Sequence, residues 1–249
     1  MLKKLYDKSR IWFAVVWIAA YCILMSVGDA LSEMVGVEKS FTLVTGLALS
    51  AVLILFMRKN GLSVVYGLCR SKASAGTMLY YIPVFIMLTA NLWNGLTLNY
   101  GALETTLYIF SMLCVGFLEE LIFRGLLFEA MRKDNVRSAI IVSSVTFGMG
   151  HIINLMNGSG AEFLPNLLQV MYATAAGFIF VMIYYRTQSL LVCIAAHGVF
   201  NALSVFANEA DLSLEIRILT AVILTVITGG YAIYLALING SESDNEMQS

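Results

Sequence analysis

The sequence predicts an all-α fold, a polytopic membrane helix bundle of about eight transmembrane helices with both termini in the cytoplasm. Three observations predict it. The 249 residues are 59% hydrophobic and only 12% charged, with a mean hydropathy of +0.82, whereas an average soluble domain is about 25% charged. Apolar runs of about 20 residues, enough to cross a ~30 Å hydrocarbon core, recur along the whole chain. The basic residues fall in every second loop.

The helices are expected near 11–31, 40–57, 77–95, 103–131, 136–156, 163–185, 188–207 and 215–238. The first run, from Ile11, is too long for a signal-peptide core and has no clear small-residue cleavage site, so it reads as a retained span. Pro83 lies within the third span, and Pro165 sits where the first turn of the sixth accepts it. No loop is long enough to fold separately and no internal repeat is visible. One domain over 1–240 is the simplest organisation, with its polar core at about 100–205. The polar, acidic stretch SESDNEMQS at 241–249 is expected to be a disordered tail.

Cytoplasmic loops collect Lys and Arg. Lys3, Lys4, Lys8 and Arg10 precede the first span. Arg58, Lys59, Arg70 and Lys72 lie in the second loop, Arg132, Lys133 and Arg137 in the fourth, and Arg186 in the sixth. The intervening loops hold only Lys39 and Arg217 beside Asp29, Glu33, Glu38, Glu104, Glu162, Glu209, Asp211 and Glu215. The alternation puts both termini on the cytoplasmic side. No basic cluster interleaves with aromatics in a soluble segment, so nucleic acid is not an expected partner. Cys22, Cys69, Cys114 and Cys193 are scattered without a CxxC pair, which suggests inert thiols.

Charges deep in a span cost several kcal/mol and are functional candidates by default. The fourth span carries Glu119, Glu120 and Arg124, the fifth His151, and the seventh His197 and Asn201. These are the only two histidines in the chain. Measured from the basic end of each span, Glu119, His151, His197 and Asn201 lie about 20, 21, 17 and 22 Å deep. Three helices therefore deliver polar groups to one layer. Glu120 and Arg124 are i and i+4 and can pair. Glu119 points about 100° away, free for another partner. His197 and Asn201, also i and i+4, present an imidazole and an amide suited to a developing oxyanion. The corresponding chemistry has Glu119 as general base on a water that His151 helps to hold, with attack on a peptide carbonyl.

The three motifs Glu-Glu-x-x-x-Arg, Phe-x-x-x-His (Phe147, His151) and His-x-x-x-Asn resemble, in order, those of the CPBP family of CAAX-type prenyl-protein proteases and bacteriocin-processing enzymes, also called Abi. The resemblance covers about residues 100–205. It implies an intramembrane endopeptidase whose first glutamate, here Glu119, activates water. The substrate would be a hydrophobic or membrane-anchored peptide met within the lipid bilayer; separately, a short chain without organelle signals suggests a bacterial cytoplasmic membrane.

Blander readings stand beside these. Glu120 and Arg124 also fit a structural ion pair, Glu119 a neutral hydrogen-bonded carboxyl, and each histidine a packing contact. Phe147 reads as a pocket wall. Asp29 is expected to be solvated, Glu129 and Glu162 to be interfacial or loop charges, and Asn91, Asn94 and Asn99 to be interfacial. Ser159, between Gly158 and Gly160, resembles a serine-nucleophile turn but reads as a flexible loop. Glu119, His151 and His197 would suffice for a catalytic zinc, although HExxH spacing is absent and a cofactor-free glutamate site is preferred. Two other functions remain: a non-catalytic immunity or scaffold protein of the same fold, and a proton relay or transporter. The missing inverted repeat weighs against the last.

Overall fold

A computed structural model describes residues 2–74, 76, 79, 81–156, 162–209 and 212–246, of which 239–246 as backbone only. The expected Gly158–Gly160 turn with Ser159 lies outside the described residues. The described chain is helical apart from turns and one isolated bridge. A short helix α1 (Leu2–Lys8) leads into α2 (Arg10–Val35) and α3 (Ser40–Lys59). Then follow α4 (Tyr81–Leu92), α5 (Ala102–Met131), α6 (Val136–Leu155), α7 (Phe163–Thr187), α8 (Leu191–Phe206) and α9 (Leu214–Glu246).

The eight expected apolar helices are all present. Six are long and apolar enough to cross a membrane, while α4 and α8 are shorter. At ~1.5 Å per residue, α8 is about 24 Å long and α4 about 18 Å, against a ~30 Å core. The reason for the short α8 is local. Gln188, in the left-handed region at φ 54°, ends α7, and Ser204–Phe206 tighten into a 3₁₀ turn before an extended Ala207. At its far end α9 runs to Glu246, through most of the segment expected to be disordered. Extending an existing helix adds one bond per residue without a second nucleation.

Caps punctuate the chain as its sequence suggests. Ser9 Oγ accepts from Trp12 N at the start of α2, and Asn135 Oδ1 from Ser138 N at the start of α6. Gly36, at φ 72°, closes α2 in the left-handed conformation that glycine adopts without a Cβ penalty.

Small residues let the helices that carry the polar groups approach closely, as is usual in membranes. A Cβ on Gly116 of α5 would sit 2.5 Å from Gly198 N of α8. Gly177 of α7 packs against Ser144 of α6 in the same way, with a Cβ there 2.9 Å from the Ser144 carbonyl.

The loops are tied into two faces. On the basic face Lys72 N donates to Thr187 O, Leu190 N to Gly67 O and Tyr66 Oη to Tyr6 Oη. On the acidic face Glu38 N donates to Glu104 Oε1, and Thr97 N to Phe206 O. Asn99 and Asn91, expected only to be interfacial, donate to Val205 O and Phe200 O and so pin the end of α8. Asp29 also departs from expectation. Instead of being simply solvated, its Oδ1 takes Lys39 Nζ at 2.8 Å and Thr42 Oγ1 at 2.6 Å, because the αL turn at Lys39 folds α3 back onto α2. Burial pulls the Lys39 pKa down, but the Asp29 carboxylate outweighs it and the pKa is raised. Glu129, expected at an interface, is buried, accepting from Tyr184 Oη at 2.7 Å and pairing with Arg132 at 3.0 Å.

Candidate active site

The polar cluster begins in α5. Its regular turns end at Glu119, and Glu120–Phe128 form a π-helix in which all nine residues are buried. Hydrogen bonds from i to i+5 widen the turn. The freed backbone is partly satisfied by a neighbour, since Ser143 Oγ of α6 donates to Phe123 O at 2.8 Å. A wider turn rotates each residue by less than the ~100° of an α-helix. Adjacent carboxylates there diverge less than regular helix geometry suggests.

The consequence corrects one expectation. Glu120 pairs with Arg124 as anticipated, Oε1 lying 3.0 Å from Nη1 with both side chains fully buried. Glu119 does find a separate partner, the Tyr21 hydroxyl at 2.7 Å, but it is not separated from Glu120. His197 stands between the two carboxylates, Nδ1 at 2.8 Å from Glu120 Oε1 and Nε2 at 3.3 Å from Glu119 Oε2. The Gly116–Gly198 contact explains how it reaches, because it brings the α8 backbone beside α5 one residue from His197 and three from Glu119.

Aromatic rings frame these charges. His197 stacks on Phe180, with centroids 5.4 Å apart and planes at 20°. Phe147 stands edge-on between the two histidines, 5.5 Å from each. It also receives the Arg124 guanidinium over its face at 4.1 Å, a cation–π contact that is strengthened by desolvation. Phe147 is thus both the wall that the sequence suggested and a platform for Arg124.

Two residues at the site carried no signal in the sequence. Tyr21 of α2 donates its hydroxyl to Glu119 Oε1 at 2.7 Å, from 98 residues away. Asn166 of α7, almost fully buried, donates to the His151 carbonyl at 2.9 Å and ties down the point where α6 tightens into a 3₁₀ turn. A tyrosine in an apolar run reads as packing, and an asparagine near a helix start reads as interfacial. Only the folded neighbourhood distinguishes them.

Glu119 and His151 line one cavity of about 110 Å³, together with Tyr21 and Phe147. His197 and Asn201 line a second, of about 60 Å³, across Phe147 and His151. The Asn201 amide has no side-chain hydrogen bond among the described residues and faces this second space. Glu120 lines neither cavity. The seven residues singled out are therefore gathered at one level, divided by the Phe147–His151 wall.

Among the described residues no three His, Cys, Asp or Glu side chains converge as ligands. His197 has both nitrogens on carboxylates, and Glu119 Oε1 is taken by Tyr21. All four cysteines are unpaired.

A family model described as Type II CAAX prenyl endopeptidase Rce1-like matches residues 101–203. The match runs from α5 to α8 and takes in all seven residues, in agreement with the resemblance read from the three motifs. No curated protein matches the chain.

Proposed function

We infer that this membrane protein, related through residues 101–203 to CAAX-type prenyl endopeptidases, is an active intramembrane endopeptidase. The observation that carries the reading is that Glu119 and His151 line one cavity of about 110 Å³ beside the buried Glu120–Arg124 pair and His197. Arg124 pairs with Glu120, and His197 lies beside both carboxylates, so the buried polar groups have partners within the cluster.

In this reading a water held by His151 loses a proton to Glu119 as its oxygen attacks the peptide carbonyl. Charge moves from the carboxylate to the carbonyl oxygen. Protonated Glu119 holds Nε2–H of His197 less firmly, and the 3.3 Å contact is already long for a charge-assisted bond. Nε2–H then turns to the oxyanion together with the Asn201 amide. Glu119 returns its proton to the amide nitrogen, the C–N bond breaks, and a carboxylic acid and an amine leave. Glu120 and Arg124 fix the imidazole from behind, and Tyr21 fixes Glu119. The substrate is a hydrophobic or membrane-anchored peptide reached from the lipid bilayer, in a bacterial cytoplasmic membrane. No prenyl requirement and no cofactor follow from these residues.

The test compares wild type, Glu119→Gln and His151→Ala on a membrane-extracted peptide pool, with and without a chelator, reading new termini by mass spectrometry. New termini from wild type alone, surviving chelation, support the mechanism; full activity of Glu119→Gln sinks it. A second reading is favoured by the full engagement of His197, which also suits a structural lock in a non-catalytic immunity or scaffold protein. In that case Glu119→Gln lowers thermal stability and no variant differs in cleavage.

A further inference from the structure

α7 packs on both α6 and α9, which stand apart on either side of it. The gap between them is an apolar groove of about 670 Å³ that shares no lining residue with the two cavities of the candidate active site. Small residues give it depth, Ala175 on the floor and Gly229, Ala232 and Ala236 along α9. Its walls run from Met171 to Met182 on α7 and from Thr225 to Ala236 on α9. Either stretch is about 16 Å long, half of a ~30 Å hydrocarbon core, so the groove is one leaflet deep. On α6 only the first turns take part, with Arg137 and Ile141, because farther in α6 closes on α7 where Gly177 meets Ser144. The groove thus has three walls at the basic face and two farther in.

Its chemistry is that of hydrocarbon with a single charge. The hydroxyls of Thr174 and Thr225 are spent on their own helices, donating to Val170 O and Ala221 O at 2.7 Å. Arg137 is the only other polar side chain of the lining. Its guanidinium is exposed and forms no ion pair among the described residues. It stands in the first turn of α6, which holds no acidic residue. A cation there faces the positive pole of the helix macrodipole, and an anion is favoured.

We propose that the groove seats an anionic phospholipid from the leaflet on the basic side, an acyl chain lying along α7 and the headgroup phosphate on Arg137. A second copy fits less well, because a two-fold axis along the membrane normal sets both Arg137 side chains at one level. An extended peptide finds no hydrogen-bond partners for its backbone on these walls. Seated there, the lipid bridges α6 and α9 and braces the helix that carries His151 from its outer side. Nothing in this depends on the peptidase reading.

The test uses purified full-length protein in a mild detergent, titrated with phosphatidylglycerol or with phosphatidylcholine of the same acyl chains. Native mass spectrometry reads the lipid retained, and thermal unfolding reads the stabilisation that binding to the folded state brings. Wild type is expected to retain phosphatidylglycerol in preference to phosphatidylcholine, with a rise in Tm. Arg137→Leu should cut that preference about fivefold, the weight of one basic residue at an anionic surface. Ala236→Phe, which fills the groove from an exposed position, should lower retention of both lipids. Lys133→Leu, an exposed cation four residues before Arg137 and outside the lining, should change neither.

Equal retention of the two lipids by wild type, or an unchanged preference in Arg137→Leu, overturns the proposal, and this comparison needs no folded Ala236→Phe. An equal loss of preference in Lys133→Leu assigns the effect to general surface charge and overturns it too. A wild-type dimer that Ala236→Phe dissolves gives the groove to a second copy. Unchanged lipid retention in Ala236→Phe with slower peptide cleavage gives it to substrate. Either result replaces the lipid and refutes its assignment.

Discussion

Tyr21→Phe removes one oxygen atom from the protein and isolates the contribution of α2 to the site. The hydroxyl donates to Glu119 Oε1 at 2.7 Å, and the ring is 8% exposed. A hydrogen bond to a charged group is worth about 1.5–3 kcal/mol. At ~1.36 kcal/mol per tenfold, full expression of that bond in the transition state corresponds to a rate loss of about 10- to 150-fold. The bond orients the carboxylate without touching substrate, so the loss belongs in kcat with KM nearly unchanged. The phenyl ring fills the same volume, and Glu119 borders a cavity where water replaces the lost donor, so thermal unfolding should barely move. The assay is steady-state cleavage of a peptide found in the termini experiment, with unfolding followed in the same detergent. A kcat within about twofold of wild type refutes the positioning role, and an unchanged kcat with a large stability loss reassigns Tyr21 to packing.

Other changes probe the surroundings. Arg124→Leu leaves the Glu120 carboxylate, at 0% exposure, with His197 as its remaining partner; breaking a buried pair costs about 3–5 kcal/mol, or a fall of about 6–20 °C in Tm at this size, and an unchanged Tm excludes the pair as a structural element. Gly116→Ala drives a methyl to 2.5 Å from Gly198 N, so α5 and α8 must part; a destabilisation of about 1–3 kcal/mol with loss of cleavage is expected, while Gly230→Ala, which meets nothing within 4 Å, leaves both intact. The Lys39–Asp29 clasp has a pH signature as well. Because the Lys39 pKa is raised in the fold, the contribution is fully present below the ordinary lysine value of about 10.4 and is lost only as pH climbs through the raised value. The stability difference between wild type and Lys39→Met should be constant through neutral pH and shrink only in strong alkali; a difference that disappears below pH ~10 contradicts the assignment.

The apolar helices and the motif residues were legible for one physical reason. In an apolar run each ionisable group stands out because its burial is so unfavourable. Glu119, Glu120, Arg124, His151 and His197 therefore announced themselves, and matched depths predicted that they would meet. What escaped was every contribution made by residues that cost nothing where they lie. Tyr21 is at home in an apolar helix until a carboxylate is brought beside it. Gly116 and Gly198 are two of 19 glycines until the helices cross there. The π-turn at Glu120–Phe128 has no composition of its own, yet it changes which partner each carboxylate finds. Helix length was misjudged for a related reason, since apolar content alone does not reveal that Gln188 and Ala207 trim α8 at both ends.

With His197 bridging both carboxylates, the choice between them cannot rest on the angle that separates them along the helix. It rests on access to water. Glu120 is 0% exposed, its Oε1 is shared by Arg124 and His197, and it lines neither cavity. Glu119 is 9% exposed and opens onto the cavity of His151. A general base must reach the proton it takes, so the proposed mechanism gives the chemistry to Glu119 and the electrostatic anchoring to Glu120. The amide substitutions separate the two. Glu119→Gln keeps the acceptor for Tyr21 but removes the base, so cleavage should vanish with little change in Tm. Glu120→Gln leaves Arg124 and His197 without their shared counter-charge, so stability should fall first, with residual cleavage in the folded fraction. The reverse pattern, a silent Glu120→Gln in stability and a total loss of its cleavage, would make Glu120 the base and require water to reach it by a path that the packed π-helix now closes.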